Sequence, residues 1–474
     1  MFPAAGAAAR ELLADAPMRN FVLSALAVLA ASACGGSSSE PVDAAPPPTP
    51  AVTFYDVSGA APVAVTTMLW ANALDIRVTG LPPLAQATVT ARFTGWGATA
   101  TFAADADGAV DLATTAPLSG SYDGVDADGI VWSMTQSTSP DDPQDDPYAL
   151  RVSVDVDGST VATGQLERLA MTSDVTCRDV SDDGLVGYYC AKSGAQRGAI
   201  VTFGGSEGGL SSGKSQAMYF ASLGYPSLGL AYFGAKGLPV TLDQVPLEYF
   251  STAFDWVEAQ PEVAPGKIAI VGGSRGGELA LLLGATFPRV TAVVAELPSG
   301  LVWPGWSTTF SLAPAWTYQG QPIPYMPSTS LDTENVTEPD GVVAVSERAA
   351  FVADIAAASP ADLDAATTRV EKTNGPILMI GGASDELWPS CDLAGYAKSR
   401  LDSSGHTSQF GDAVVCYPDA GHDVYAFNVG VPTTSAMHVS DGGTTLALGG
   451  TARGIAHAAR DADDRERAFF AANL

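Results

Sequence analysis

Residues 267–281 read Lys-Ile-Ala-Ile-Val-Gly-Gly-Ser-Arg-Gly-Gly-Glu-Leu-Ala-Leu. An apolar, β-branched run ends in Gly-x-Ser-x-Gly and passes without a spacer into a helix-forming run. A turn this tight brings the strand end against the helix start, so the positions flanking the serine cannot carry bulky side chains. Gly272 and Gly276 meet that requirement. The bend holds the Ser274 hydroxyl clear of the backbone. It also places it at the head of a helix whose first N–H groups, beginning with Arg275, lack partners within the helix. An oxyanion formed beside Ser274 would face those donors. The arrangement is that of a nucleophile elbow, and it calls for a base and an acid elsewhere on the same sheet edge.

A serine hydroxyl is a weak nucleophile until a base takes its proton. The chain has four histidines, His406, His422, His438 and His457. Only His422 follows a late apolar strand through a Gly-containing turn, in Cys416-Tyr417-Pro418-Asp419-Ala420-Gly421-His422. His406 falls in the polar stretch Ser403-Ser404-Gly405-His406, and the other two belong to the tail. The acid that orients the base comes between serine and histidine in chain order. The run Pro376-Ile377-Leu378-Met379-Ile380-Gly381-Gly382-Ala383-Ser384-Asp385 supplies it as a strand, a Gly-rich turn and then Asp385. Glu296, at the end of the strand after the elbow helix, is the rival. Of the two oxyanion donors, one is the N–H of Arg275. The other comes from Gly204-Gly205-Ser206-Glu207-Gly208-Gly209, with Ser206 preferred and Gly205 or Glu207 as alternatives. Residues 208–215 also fit Gly-x-x-x-x-Gly-Lys-Ser, a phosphate-cradling pattern. The preceding strand ends at Phe203, too early for such a loop.

Around the elbow, apolar β runs alternate with helical stretches. Strands are expected at 198–203, 227–233, up to the elbow, 290–296, 376–381 and 413–417. Helices are expected near 212–223, 247–260, after the elbow, within 346–358 and near 393–401. This alternation predicts a mostly parallel sheet covered on both faces, an α/β-hydrolase fold over residues 169–474. Residues 297–342 interrupt it with a Trp-, Tyr- and Pro-rich segment that reads as a cap or a packed insertion. Residues 51–168 instead show short period-two runs such as Leu74-Asp75-Ile76-Arg77-Val78, broken by turn signals. They predict an antiparallel β-sandwich ahead of the α/β domain.

Lys plus Arg number 23 against 52 Asp plus Glu, a net charge of −29. That excludes a nucleic-acid surface, which needs clustered cations. Residues 1–34 carry Met18-Arg19-Asn20, an apolar run over 21–31, then small residues before Cys34. They read as a signal peptide ending in a lipidated Cys34, with the membrane as partner through that anchor and the bacterial cell envelope as location. Residues 35–50 form a Ser/Pro-rich linker. The remaining cysteines, Cys177, Cys190, Cys391 and Cys416, allow three disulfide pairings. Cys177–Cys190 across an expected hairpin, with Cys391–Cys416, is favoured. Nothing in the chain calls for a metal or an organic cofactor.

The chain resembles the acyl-CoA thioester hydrolase / bile acid-CoA:amino acid N-acyltransferase family. The resemblance rests on Ile76-Arg77-Val78-Thr79-Gly80-Leu81-Pro82, Ala116-Pro117-Leu118-Ser119-Gly120-Ser121-Tyr122, Gly204 to Leu210, Leu230-Ala231-Tyr232-Phe233, Val245-Pro246-Leu247-Glu248-Tyr249-Phe250, the elbow and Ala315-Trp316-Thr317-Tyr318. It implies a β-sandwich followed by an α/β-hydrolase domain, with nucleophile, acid and base on Ser274, Asp385 and His422. Members that pass the acyl group to an amine resemble cysteine users, so Ser274 favours water as acceptor. The expected substrate is a small-molecule acyl ester or thioester. Acyl transfer to an amino acid or other amine is the alternative, and a non-catalytic binding lipoprotein is a third reading.

Overall fold

A computed structural model describes residues 48–137, 149–194, 196–309, 311–330, 332–339, 341–434, 436–438 and 444–474. The expected signal, Cys34 and most of the linker lie outside the described residues.

The second half of the chain is built on one eight-stranded sheet. Its strands are β1 (Val175–Val180), β2 (Val186–Lys192), β3 (Arg197–Phe203), β4 (Ser227–Ala231), β5 (Val263–Gly273), β6 (Val290–Glu296), β7 (Ile377–Gly382) and β8 (Ala413–Tyr417). Their order is β1-β2-β4-β3-β5-β6-β7-β8. The β1–β2 and β2–β4 pairs are antiparallel, and every later pair is parallel. This is the α/β-hydrolase fold. The central strands are apolar on both faces because both faces are covered. Along β5, Ile268 and Ile270 pack into one cluster while Ala269 and Val271 pack into another on the opposite face. Helices α1 (Ser211–Ser222), α2 (Glu248–Glu258), α3 (Arg275–Thr286) and α4 (Ser390–Ser404) cover the sheet together with α5 (Ala452–Asn473). On α2 the buried residues Phe250, Ala253, Phe254 and Val257 follow helical spacing and form one stripe. Helix α4 stops at Gly405, whose φ of +80° is a left-handed cap that glycine adopts without a Cβ clash.

Ahead of this sheet stand two smaller ones. Strands Val63–Val65, Ala51–Asp56, Leu74–Thr79 and Val110–Asp111 form the first. The second is centred on Ser159–Leu169, Ala149–Val156, Gln86–Phe93 and Trp96–Ala103. Inward residues of both, including Phe54, Ile76, Val89, Phe102, Leu150 and Leu166, close over one core, so the pair is a sandwich. The expectation of antiparallel pairing needs one amendment, since Thr67–Leu69 runs parallel to the end of Ser159–Leu169.

Helix α5 was not expected from the sequence. It packs on one face of the sheet, with Ala458, Ala459 and Phe470 in the cluster that holds Ala269, Val271, Val294 and Ile380, and it reaches the sandwich. Arg460 pairs with Asp128 and donates to the Ala71 carbonyl, and Arg453 pairs with Asp123. Arg168, fully buried, donates to the carbonyls of Trp70 and Gly430 and ties the end of the sandwich to the loop after His422. The structure brings the sulfurs of Cys177 and Cys190 together across the β1–β2 hairpin, where the two residues are direct partners. It also joins Cys391, at the start of α4, to Cys416 on β8.

Candidate active site

Ser274 sits between β5 and α3 with φ +57° and ψ −123°, a backbone conformation that costs a non-glycine residue energy. The surrounding backbone holds it there. Its N–H donates to the Glu296 carbonyl at 2.9 Å, and its carbonyl accepts from Gly277 and Glu278 at 2.8 and 3.1 Å. The flanking glycines are needed for space. A Cβ at Gly272 would overlap the Gly276 carbonyl, and one at Gly276 would lie 2.5 Å from the Gly204 carbonyl oxygen. The elbow is thus pressed on one side against the loop after β3.

His422 stands in the loop after β8. Its backbone N–H is held by the Leu448 carbonyl at 2.7 Å. The ring bridges two groups, with Nε2 2.9 Å from Ser274 Oγ and Nδ1 2.8 Å from Asp385 Oδ2. The Trp388 ring lies edge-on to the imidazole, 5.9 Å between centroids. Asp385 follows β7. Its Oδ1 accepts the N–H groups of Leu387 and Trp388 at 3.0 and 3.1 Å, which leaves Oδ2 for the histidine. Ser274 is 8% exposed, His422 4% and Asp385 0%. With Nδ1 against the carboxylate and Nε2 against the hydroxyl, the three groups are placed to pass one proton from Ser274 to His422. Arg275 opens α3, with its N–H at the head of the helix. Ser206 lies in the loop against the elbow, where a Cβ on its neighbour Gly205 would come 3.1 Å from Ser274 Cβ.

The rival acid is engaged elsewhere, since Glu296 takes the Ala426 N–H at 2.6 Å. Glu386, the neighbour of Asp385, accepts from Ser346 Oγ at 2.7 Å. His406 is not in a polar loop. It is buried on a short helix, its ring fixed by Asp412 and the Thr373 carbonyl at 2.7 and 2.8 Å. His457, on α5, pairs with Asp126 at 2.8 Å. Lys214 of the phosphate-loop pattern lies within α1 with its ammonium 4.6 Å from the centre of the Tyr188 ring.

Sequence reasoning missed Glu278. One turn into α3, it is fully buried. It accepts from Arg275 Nη1 at 2.8 Å, from the Trp303 N–H at 3.0 Å and from Trp316 Nε1 at 2.8 Å. Burial pushes its carboxyl up to about 7, against the Arg275 charge and the two Trp donors, which favour the carboxylate. Through this side chain α3 holds the insertion, whose Trp303 and Trp316 are buried. No pattern of helical spacing marks such a residue. Only its place one turn after the elbow serine could have drawn attention to it.

Fold and comparison together define an ester- or thioester-hydrolysing enzyme of the α/β-hydrolase fold. Residues 245–474 match the BAAT / acyl-CoA thioester hydrolase C-terminal family, and residues 71–182 match the acyl-CoA thioester hydrolase/BAAT N-terminal region. The chain belongs to the acyl-CoA thioester hydrolase/BAAT family. It is 28% identical to rat acyl-coenzyme A thioesterase 2, mitochondrial, over 85% of this chain and 86% of that protein. It is also 28% identical to rat acyl-coenzyme A thioesterase 1, over 85% of this chain and 93% of that protein. The human acyl-coenzyme A thioesterase 1 is 27% identical over 85% of this chain and 94% of that protein. A solved esterase of the bacterial hormone-sensitive lipase family aligns at 14% identity and a TM-score of 0.37, over 64% of this chain and 86% of that one.

These relatives correct the expected location. They are mammalian acyl-coenzyme A thioesterases, one of them named as mitochondrial, and not bacterial envelope lipoproteins. The reading of a lipid-anchored envelope protein therefore does not stand. Its basis was weak in physical terms, because the N-terminal segment is so rich in alanine that small residues before Cys34 distinguish little.

Proposed function

We propose that this chain hydrolyses an acyl-CoA thioester through an acyl-enzyme on Ser274. The observation that carries the reading is the single imidazole of His422 within hydrogen-bond distance of both Ser274 Oγ and Asp385 Oδ2. His422 Nε2 takes the hydroxyl proton as Oγ attacks the thioester carbonyl. The N–H groups of Arg275 and Ser206 stabilise the tetrahedral oxyanion. As that intermediate collapses, the C–S bond breaks and the thiolate leaves with the proton held by His422. Water then attacks the acyl-serine, His422 takes its proton, and the carboxylic acid departs as Oγ is reprotonated. Asp385 fixes the ring throughout. In this reading residues 169–474 form the catalytic domain and residues 51–168 the sandwich in front of it.

The family includes transfer to amines, and serine at position 274 supports water as the acceptor. The test is turnover of acyl-CoA thioesters of graded chain length, with and without an added amino acid, with products identified by mass. Free acid as the product in both conditions supports the proposal. N-acyl amino acid as the main product, or no turnover of any thioester by folded protein, counts against it.

A further inference from the structure

The loop that carries Ser206 is clamped from two sides. The buried Tyr232 hydroxyl lies 2.9 Å from the Gly204 carbonyl oxygen and 3.1 Å from that of Gly205, and donates to them. From the other side the Glu207 carboxylate folds back on its own loop. Oε2 accepts the Gly205 N–H at 2.9 Å, and Oε1 accepts from Ser212 Oγ, at the start of α1, at 2.5 Å. Gly205 itself backs onto the nucleophile. A Cβ there would lie 3.0 Å from the Gly273 carbonyl oxygen and 3.1 Å from Ser274 Cβ. The Gly205 N–H is therefore engaged by a carboxylate. The Ser206 N–H, one residue on, has no acceptor among the described residues.

We propose that Glu207 is a positioning residue of the oxyanion hole. Its carboxylate takes the Gly205 N–H out of play and fixes the peptide so that the Ser206 N–H is the second donor beside that of Arg275. The proposal rests on the Ser274 reading above. A carboxylate suits the task because it offers two acceptors, one for the Gly205 N–H and one for the Ser212 hydroxyl. It also sets a constraint. An anion beside a site that must stabilise an anion has to be capped by donors, and Gly205 and Ser212 are those caps. A glutamine could make both bonds, accepting from Gly205 and donating to Ser212, without the charge. The function therefore needs the geometry of the side chain and not its charge.

The experiment compares Glu207→Ala and Glu207→Gln with wild type in the full chain. It measures kcat and KM on an acyl-CoA thioester and the rate at which a fluorophosphonate labels Ser274. Losing one oxyanion donor outright costs about 10²–10³ in kcat, so displacing one should cost Glu207→Ala about 30-fold or more, with KM within about threefold. Labelling should slow in parallel. Glu207→Gln should recover kcat to within about threefold of wild type, which a purely electrostatic role would not allow. An unchanged kcat in Glu207→Ala, a loss confined to KM, or an equal loss in Glu207→Gln overturns the proposal. If Glu207→Ala is not recovered folded, Ser212→Ala, which removes one cap, should still lower kcat about three- to tenfold at constant KM, and no change overturns it. Wild-type turnover without label on Ser274 would instead sink the parent reading, so the two failures are distinguishable.

Discussion

Asp385→Asn isolates the role of the acid without emptying its site. The amide must choose an orientation, and the structure dictates which. The N–H groups of Leu387 and Trp388, at 3.0 and 3.1 Å from Oδ1, both donate, so the amide oxygen has to face them. The amide nitrogen then takes the place of Oδ2, 2.8 Å from His422 Nδ1, and donates to the ring. An Nδ1 that accepts leaves its proton on Nε2, which faces Ser274 Oγ and can no longer take the hydroxyl proton. The packing is unchanged, because oxygen and nitrogen are nearly equal in size and every buried partner keeps a bond. Loss of the working tautomer lowers kcat by about 10⁴ in a serine triad, about 5 kcal/mol in activation free energy. Release of free thiol from an acyl-CoA substrate, followed with a chromogenic disulfide, reads this over the required range. A folded Asp385→Asn enzyme within tenfold of wild-type kcat would refute the assignment of Asp385, and with it the reasoning that fixes the ring.

Two further outcomes follow from local packing and burial. Gly276→Ala should lower stability by about 1–3 kcal/mol in denaturant titration and slow turnover. Its Cβ meets the Gly204 carbonyl at 2.5 Å, backbone that cannot yield without moving the oxyanion loop; unchanged stability and rate would contradict this. Glu347 is 8% exposed, and burial holds its carboxyl up at about 7. A group raised in the folded state contributes stability that is complete below its unfolded value, here 4.5, and is lost as pH rises through the folded value. Glu347→Gln should therefore gain on wild type by up to about 3 kcal/mol between pH 4.5 and pH 8, read from denaturation midpoints. Parallel pH dependence of the two proteins would contradict the burial argument.

The elements that organise the sheet were legible because their signals are local. The strands over 290–296 and 413–417 appear with the expected bounds, and the elbow falls where Gly272 and Gly276 demand close contact. Asp385 and His422 were also legible, since each follows an apolar strand through a glycine-containing turn, and the structure brings the His422 ring to both Asp385 and Ser274. What stayed hidden depends on partners distant in the chain. His406 looks exposed among serines until Asp412 and the Thr373 carbonyl close on it. Helix α5 buries Ala458, Ala459 and Ala462, a stripe of small residues with weak hydrophobic contrast, and also buries Asp463 and Glu466, which read as surface charges. Tyr219 reaches Asp463 from α1, a partner 244 residues away that no window could reveal. Glu278 is hidden for the same reason, because its meaning lies in Trp303 and Trp316.

The most direct measurement is labelling of the purified chain with a fluorophosphonate, mapping of the adduct by peptide mass spectrometry, and thioesterase assay of Ser274→Ala alongside. The account predicts one adduct, on Ser274, with turnover lost in step with labelling and a residual rate in the folded variant at least about 10³-fold lower. An adduct elsewhere, or a folded Ser274→Ala protein that still turns over acyl-CoA at the wild-type rate, would contradict it.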